Sequence, residues 1–458
     1  MLTLLAPAAL LDEGWQTDVA LAVDDDGVIA KIEPRARGVS ADERLHGPVI
    51  PAMPNLHSHA FQRAIAGRTG TPAPGRDDSF WTWRQAMYAA LEHIDADAFE
   101  AIAAQAYVEM TKAGYASVAE FHYVHHDPHG KPYADPGELA WRIVAAADTA
   151  QIALTLLPVF YAHGDFGGVA TMASQRRFVH SVYTFEKLCE ALARGARDGR
   201  FVLGVAPHSL RAVTVEELAK VVGLAAPDAP IHIHAAEQTR EVDDCVSANG
   251  ERPVEWLLAH ANVDARWCIV HATHMTEREV RALAASGAIV GLAPCTEADL
   301  GDGIFPGHAF ARAGGSFGIG SDSNTTIDPF AELRQLEWSQ RLRLRRRNVM
   351  IEGGDTPVGE TLWRRAARGG AQALARKTGS IAPGMRADLI VLDTDDAALV
   401  EQPVANVIDA AIFGPCRCPV RDLICGGRFV VREGHHPREH DVLRHYRAAL
   451  TRIGSTSH

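Results

Sequence analysis

No stretch of this 458-residue chain approaches the roughly 18 uncharged apolar residues that a membrane-crossing helix needs. Positive charge is short as well. Against 57 Asp and Glu stand 45 Lys and Arg, a formal net charge of −12, which argues against general nucleic-acid binding. Cysteine is sparse and dispersed: the seven include one close pair, Cys416 and Cys418, and no Cys-x-x-Cys. Buried reduced thiols fit that pattern better than a disulfide framework or a thiolate metal site. The apolar N-terminus, Met1 to Asp12, lacks a basic leader and reads as an opening β-strand rather than a signal peptide. Long internal repeats and low-complexity tracts are missing too. What remains is 47% apolar and 22% charged, an ordinary composition for a soluble, cytoplasmic chain of more than one domain.

Residues 1–50 alternate like short β structure. Val19, Leu21 and Val23 are followed by a turn at Asp24 to Gly27, and Val28, Ala30 and Ile32 resume the pattern. This segment is too small to bury both faces, and a matching one covers residues 379–435, with strands expected at Leu389 to Leu392 and within Val420 to Val431. The two ends are expected to form one small β-sandwich around a central domain, residues 51–378. Residues 436–458 read as a polar tail with a short helix.

In the central domain, apolar runs alternate with helical patterns. Strands are expected at Val49 to Leu56, Tyr115 to Phe121, Ile152 to Phe160 and Phe201 to Ala206. Four more follow at Ile231 to His234, Trp267 to Val270, Ala288 to Ala293 and Ser316 to Ile319. Thr214-Val-Glu-Glu217 is a capping box opening one intervening helix. Eight such alternations match an α/β fold of the (β/α)8, TIM-like barrel type. A doubly wound open sheet competes, but no Gly-x-Gly-x-x-Gly turn follows the first strand.

The first strand runs into Asn55-Leu-His57-Ser-His59. Residues i and i+2 of a strand share a face, so both imidazoles can reach one point at its end. In a chain of 22 histidines such a pair means little until other ligands join it. They appear at the C-terminal ends of later strands, where barrels carry their active sites. Strand five offers His232 and His234 on one face, and His234, nearer the mouth, is the better ligand. His232 reads as a packed residue one layer down. Glu237 follows just past the strand, placed for proton transfer, and strand six ends at His271. His274, beyond the strand, reads as a loop residue. Strand eight leads to Asp322, which can ligate a metal or accept a proton from its water. No lysine ends strand four to bridge two metals, so one metal is the simpler reading. His122, His125, His126 and His129 resemble a second cluster but read as loop and packing residues.

This arrangement resembles the amidohydrolase superfamily, and the Gly379 to Asp393 string extends the likeness over nearly the whole chain. Ala52 departs from it, standing where the superfamily commonly has glycine. The His234-Ala-Ala-Glu237 pairing is similar to the single-zinc deaminase branch. That resemblance implies zinc held by His57, His59, His234 and Asp322, with Glu237 and His271 acting on substrate. The same donors accept iron or manganese. Within the branch, Pro54 to Arg63, Phe80-Trp-Thr-Trp-Arg84, Glu120 to His126 and Ala206 to Arg211 resemble enzymes that deiminate N-formimino-L-glutamate. That small molecule carries an amidine and two carboxylates. Arg84 and Arg211 suit the carboxylates through their planar forks, and Gln62, Tyr123 and His208 could add further hydrogen bonds. The expected reaction is hydroxide attack on the formimino carbon, with Asp322 taking the water proton and Glu237 and His271 moving protons to the departing ammonia. Relatives suggest a homodimer. The competing functions are a deaminase of guanine or an adenosine-like base, ring opening of an imidazolone, and a non-catalytic zinc-binding protein.

Overall fold

In a computed structural model of the chain, residues 1–70, 78–351, 356–415 and 419–455 are described. Cys416, Cys418 and half of the Gly- and Pro-rich stretch before Phe80 lie outside them. The strands are β1 (Leu2–Leu11), β2 (Gly14–Val23), β3 (Ile29–Glu33), β4 (Glu43–Arg44), β5 (Val49–Pro51) and β6 (Met53–Ser58). Then come β7 (Tyr115–His122), β8 (Ala153–Phe160), β9 (Val202–Leu203), β10 (Ala206–Pro207), β11 (Ile231–Ala235) and β12 (Trp267–His271). The last are β13 (Ile289–Leu292), β14 (Ser316–Ile319), β15 (Leu389–Leu392), β16 (Val420–Cys425) and β17 (Arg428–Val431).

Helices fill the gaps between the central strands: α1 (Phe80–Leu91), α2 (Ala96–Ala113), α3 (Glu138–Ala150), α4 (Val182–Arg197), α5 (Val215–Val222), α6 (Thr239–Asn249) and α7 (Pro253–His260). They continue with α8 (Glu277–Ala285), α9 (Pro294–Leu300), α10 (Gly307–Arg312), α11 (Pro329–Leu344) and α12 (Val358–Ala373). The capping box at Thr214 opens α5: its hydroxyl accepts from Glu217 N–H, and the Glu217 carboxylate accepts from Thr214 N–H at 2.9 Å. Near the C-terminus lie α13 (Val407–Phe413) and α14 (Glu439–Ser455).

Strands β6, β7 and β8 pair in parallel, with β9 and β10 both on β8; β11, β12, β13 and β14 form a second parallel run. Bridges Val205–Ile231 and Ser209–His234 join the two runs on one side, and Ser58–Asp322 joins them on the other. Every residue of β7, β11 and β12 is buried, as expected of strands covered on both faces. The chain ends share another sheet, ordered β17-β16-β15-β5-β1-β2-β3 with β4 on β1. It has its own apolar cluster, including Leu4, Leu21, Val49, Leu389 and Ile424.

Three expectations needed revision. The run Val49 to Leu56 is two strands in two sheets: Ala52 N–H donates to Asp388 O at 3.0 Å, and Met53 N–H to Gly114 O at 3.1 Å. Neighbouring amides therefore serve different partners, and the prolines at 51 and 54 have no N–H to continue either ladder. The fourth strand is two short pieces parted at Gly204, where a Cβ would sit 2.5 Å from Leu157 and Pro230. The polar tail is also more than a short helix. α14 spans 17 residues and buries Val442, Tyr446, Ala449 and Ile453 along one stripe. Tyr446 OH donates to Arg63 O at 3.2 Å, so this helix braces the loop after β6. Charged residues between the four apolar ones masked the stripe in the sequence.

Candidate active site

The ends of β6, β11, β12 and β14 converge. His57 ends inside β6 and His59 lies just past it, before a short turn of 3-10 helix at Ala60–Ala64. Their Nε2 atoms are 3.2 Å apart, and His234 Nε2 is 3.1 Å from that of His57. Asp322 Oδ1 stands 3.6 Å from His57 Nε2 and 3.4 Å from His59 Nε2. Gly320 allows this approach: a Cβ there would lie 2.5 Å from the His57 carbonyl.

The outward nitrogens of two rings are engaged. His59 Nδ1 is 3.1 Å from Phe121 O, and His234 Nδ1 is 3.0 Å from His208 O. A carbonyl only accepts, so both Nδ1 atoms carry the hydrogen and both Nε2 lone pairs face inward. Burial drives His59 down to about 3 and, with His59 beside it, His57 well below the ordinary imidazole value; His234 behaves likewise. With His57 Nε2 only 3.1–3.2 Å from them, the inward lone pairs of His59 and His234 and a third ring nitrogen converge on one point. This donor set fits a divalent metal.

The opposite wall is different in kind. His271 Nε2 lies 3.6 Å from Glu237 Oε1 and 3.9 Å from Asp322 Oδ2, and its Nδ1 is 3.3 Å from Glu297 Oε1. Burial pulls the His271 pKa down, but Glu237, Glu297 and Asp322 together raise it well above the ordinary value. Asp322 is pushed up to about 7 by burial, against the pull of His271 and with the help of Glu237. Ala236, His271, Ala272, Asp322 and Asn324 all have positive φ, between 43° and 70°. Such residues cost about 1–3 kcal/mol each and cluster at functional sites. Asn324 offsets part of that cost, donating to the His59 and Asp322 carbonyls at 3.0 Å each.

Above this floor is a cavity lined by Gln62, Arg84, Tyr123, His208 and Arg211 together with aromatic side chains. Gln62 Nε2 donates to Tyr123 OH at 2.9 Å. Arg84 stacks over Trp81, 4.6 Å from the ring centre, and Arg211 is buried with its Nε unpartnered. Neither arginine has a carboxylate within 4.0 Å among the described residues.

His232 bonds Ala373 O at 2.8 Å beneath the site, and His274 bonds Asp302 O at 2.8 Å in its loop. Among the described residues, only His57–His59–His234 and Glu237–His271–Asp302 bring three such donors within 4.8 Å of one another. His125 and His126 instead bond the carbonyls of Val159 and Val179. The sequence reading passed over Glu297, Glu241 and Asp302. Glu241 accepts from Glu237 N–H at 3.0 Å and anchors that loop. Glu297 lies in the first turn of α9, just after strand β13; applying the strand-end rule to that strand would have found it.

The pattern of the amidohydrolase family matches residues 49–430, and that of the formimidoylglutamate deiminase HutF N-terminal domain matches residues 1–47. A formimidoylglutamate deiminase from Pseudomonas aeruginosa is 48% identical over 96% of both chains. An amidohydrolase of solved structure from Brucella melitensis is 45% identical, covers 99% of this chain and 100% of its own, and superposes with a TM-score of 0.94. An adenosine deaminase from Xanthomonas campestris with bound zinc shares the fold at 22% identity, covering 99% of this chain and 98% of its own, with a TM-score of 0.81.

Proposed function

The chain belongs to the amidohydrolase family, and on that premise we propose that it hydrolyses N-formimino-L-glutamate to N-formyl-L-glutamate and ammonia, a step of histidine degradation. The observation that carries the substrate is the pair of arginines, Arg84 and Arg211, which have no carboxylate within 4.0 Å among the described residues and face a cavity whose floor is the histidine–aspartate cluster. In a protein of net charge −12, two guanidinium groups lining one cavity suit a small dicarboxylate. We read the ring of parallel strands as a closed (β/α)8 barrel, and the sheet shared by residues 1–50 and 379–435 as its accessory β domain. The enzyme is read as cytoplasmic; no described helix is long and apolar enough to cross a membrane.

His57, His59, His234 and Asp322 would hold one divalent metal, zinc in this reading, which supplies the Lewis acidity that makes water nucleophilic at neutral pH. The side chains do the rest. Arg84 and Arg211 hold the two carboxylates by paired hydrogen bonds, with Gln62, Tyr123 and His208 fixing the chain between them. Water oxygen adds to the formimino carbon while Asp322 takes the proton released. Glu237 relays both water protons to the terminal amidine nitrogen, first the one taken by Asp322 and then that of the new hydroxyl, and the imidazolium of His271 steadies Glu237 and Asp322 in that exchange. The carbon–nitrogen bond breaks, ammonia departs, and a formyl oxygen remains.

Ammonia release by zinc-loaded protein, with N-formimino-L-glutamate and guanine side by side, tests the proposal. Turnover of the first, with formylglutamate as co-product, is the expected result. Turnover of guanine alone would overturn the assignment of the two arginines.

A further inference from the structure

One buried carboxylate beside the site has no place in that reaction. Asp302 lies two residues past α9, and its Oδ2 has no hydrogen-bond partner among the described residues. Its Oδ1 accepts from Gln238 Nε2. Donor atoms of Asp302, Glu237 and His271 all fall within 4.8 Å of one another. Because Glu297 takes the Nδ1 side of His271, its Nε2 is the atom turned toward Glu237 and Asp322. Four buried carboxylates, Glu237, Glu297, Asp302 and Asp322, thus gather about one imidazole. With one oxygen of Asp302 left unpartnered among the described residues, the donors of Glu237, His271 and Asp302 converge closely enough for a single divalent cation to take all three.

We propose that Glu237, His271 and Asp302 form a second divalent-cation site beside the histidine cluster, and that filling it stops turnover. Asp322 lies between the two sites, with Oδ1 toward His57 and His59 and Oδ2 toward His271. The cavity reaches Glu237 and His271 directly, which gives an ion a route in. One imidazole with two carboxylates suits zinc and its neighbours, whereas magnesium favours all-oxygen shells and keeps its waters. An ion seated there ties up the Glu237 carboxylate that relays protons and displaces the Nε2 proton of the His271 imidazolium that steadies it. The inhibitory half of the proposal rests on the roles given above to those residues; the binding half does not.

The test titrates protein carrying one equivalent of Zn²⁺ with more Zn²⁺, counting bound metal by equilibrium dialysis and following turnover in the same samples. The expected result is a second, weaker equivalent whose binding parallels the loss of activity. Asp302→Asn should retain the first equivalent and its turnover, while binding the second at least about tenfold more weakly and resisting inhibition. Mg²⁺ should do neither. A single equivalent at saturating Zn²⁺, or an Asp302→Asn protein that binds and is inhibited like wild type, overturns the site. Protein inactive on the amidine at one equivalent sinks the functional reading, yet the dialysis count still decides the site. If Asp302→Asn does not fold, Co²⁺-substituted wild type decides instead. Two magnetically coupled ions support a pair sharing Asp322; one ion, or two uncoupled ions, overturns it.

Discussion

The two walls of the site are equally buried, yet their histidines sit in opposite protonation states. His57, His59 and His234 face one another and lose their protons to burial. His271, across Asp322, faces Glu237 and Glu297 and keeps its proton. Burial pushes every imidazole toward neutrality, so the neighbours decide the outcome. Imidazole beside imidazole yields lone pairs for a metal. Imidazole among carboxylates yields a fixed cation and a place to store protons. The reaction proposed here needs both kinds, only a few ångströms apart.

Removing the residue that joins the walls should have the largest effect. Asp322→Ala is expected to lower kcat by about 10³–10⁴-fold, even in protein that still carries metal. Near-normal turnover in that variant would refute its role. The two walls should then separate. Glu237→Gln is expected to lower kcat by about 10²–10³-fold with metal content unchanged, because an amide cannot carry the proton. His234→Asn should instead lose metal, read as zinc per chain after dialysis. A His234→Asn protein with full metal, or a Glu237→Gln protein without it, would erase the distinction.

The wall of His57, His59 and His234 was more legible in the sequence than the wall of His271 and its carboxylates, for physical reasons. His57, His59 and His234 stand at the ends of parallel strands, where period-two alternation fixes direction. Asp322 and His271 are placed by the same rule. Glu297 reaches His271 from a helix, and Asp302 reaches it from a loop that no periodicity describes. Strand positions in the central domain were likewise readable from apolar runs, most within a residue or two. The breaks at Ala52 and Gly204 were not, since each depends on which distant backbone group accepts a particular amide. The helix at the C-terminus was obscured because its apolar stripe is diluted by charge.

The cavity's arginines test whether the comparison extends to substrate binding. Arg84→Met and Arg211→Met each remove hydrogen bonds to a charged group, worth about 1.5–3 kcal/mol. That corresponds to a loss of about 10- to 100-fold in kcat/KM. The loss should be confined to carboxylate substrates, with metal content intact. An equal loss on a neutral amidine would show that these residues support the fold rather than the ligand.

The smallest effect is the cleanest check on the rule drawn from the two walls. His122 and His180 are buried outside the His57–His59–His234 cluster, with no carboxylate pairing them among the described residues, and both are lowered to about 3, chiefly by burial. If neighbours decide protonation, these two should behave as His57, His59 and His234 do. Their folded pKa lies below the ordinary value of 6.5, so the unfolded chain binds more protons between those limits. Their contribution to stability is therefore complete above about pH 6.5 and is lost as pH falls toward about 3. Each adds a slope of up to about 1.4 kcal/mol per pH unit in that window. Urea midpoints between pH 6 and pH 4 measure the slope, and His122→Phe should flatten it by one proton's worth. An unchanged slope would mean that His122 gains a proton without unfolding, and that burial without a carboxylate does not hold an imidazole neutral in this protein.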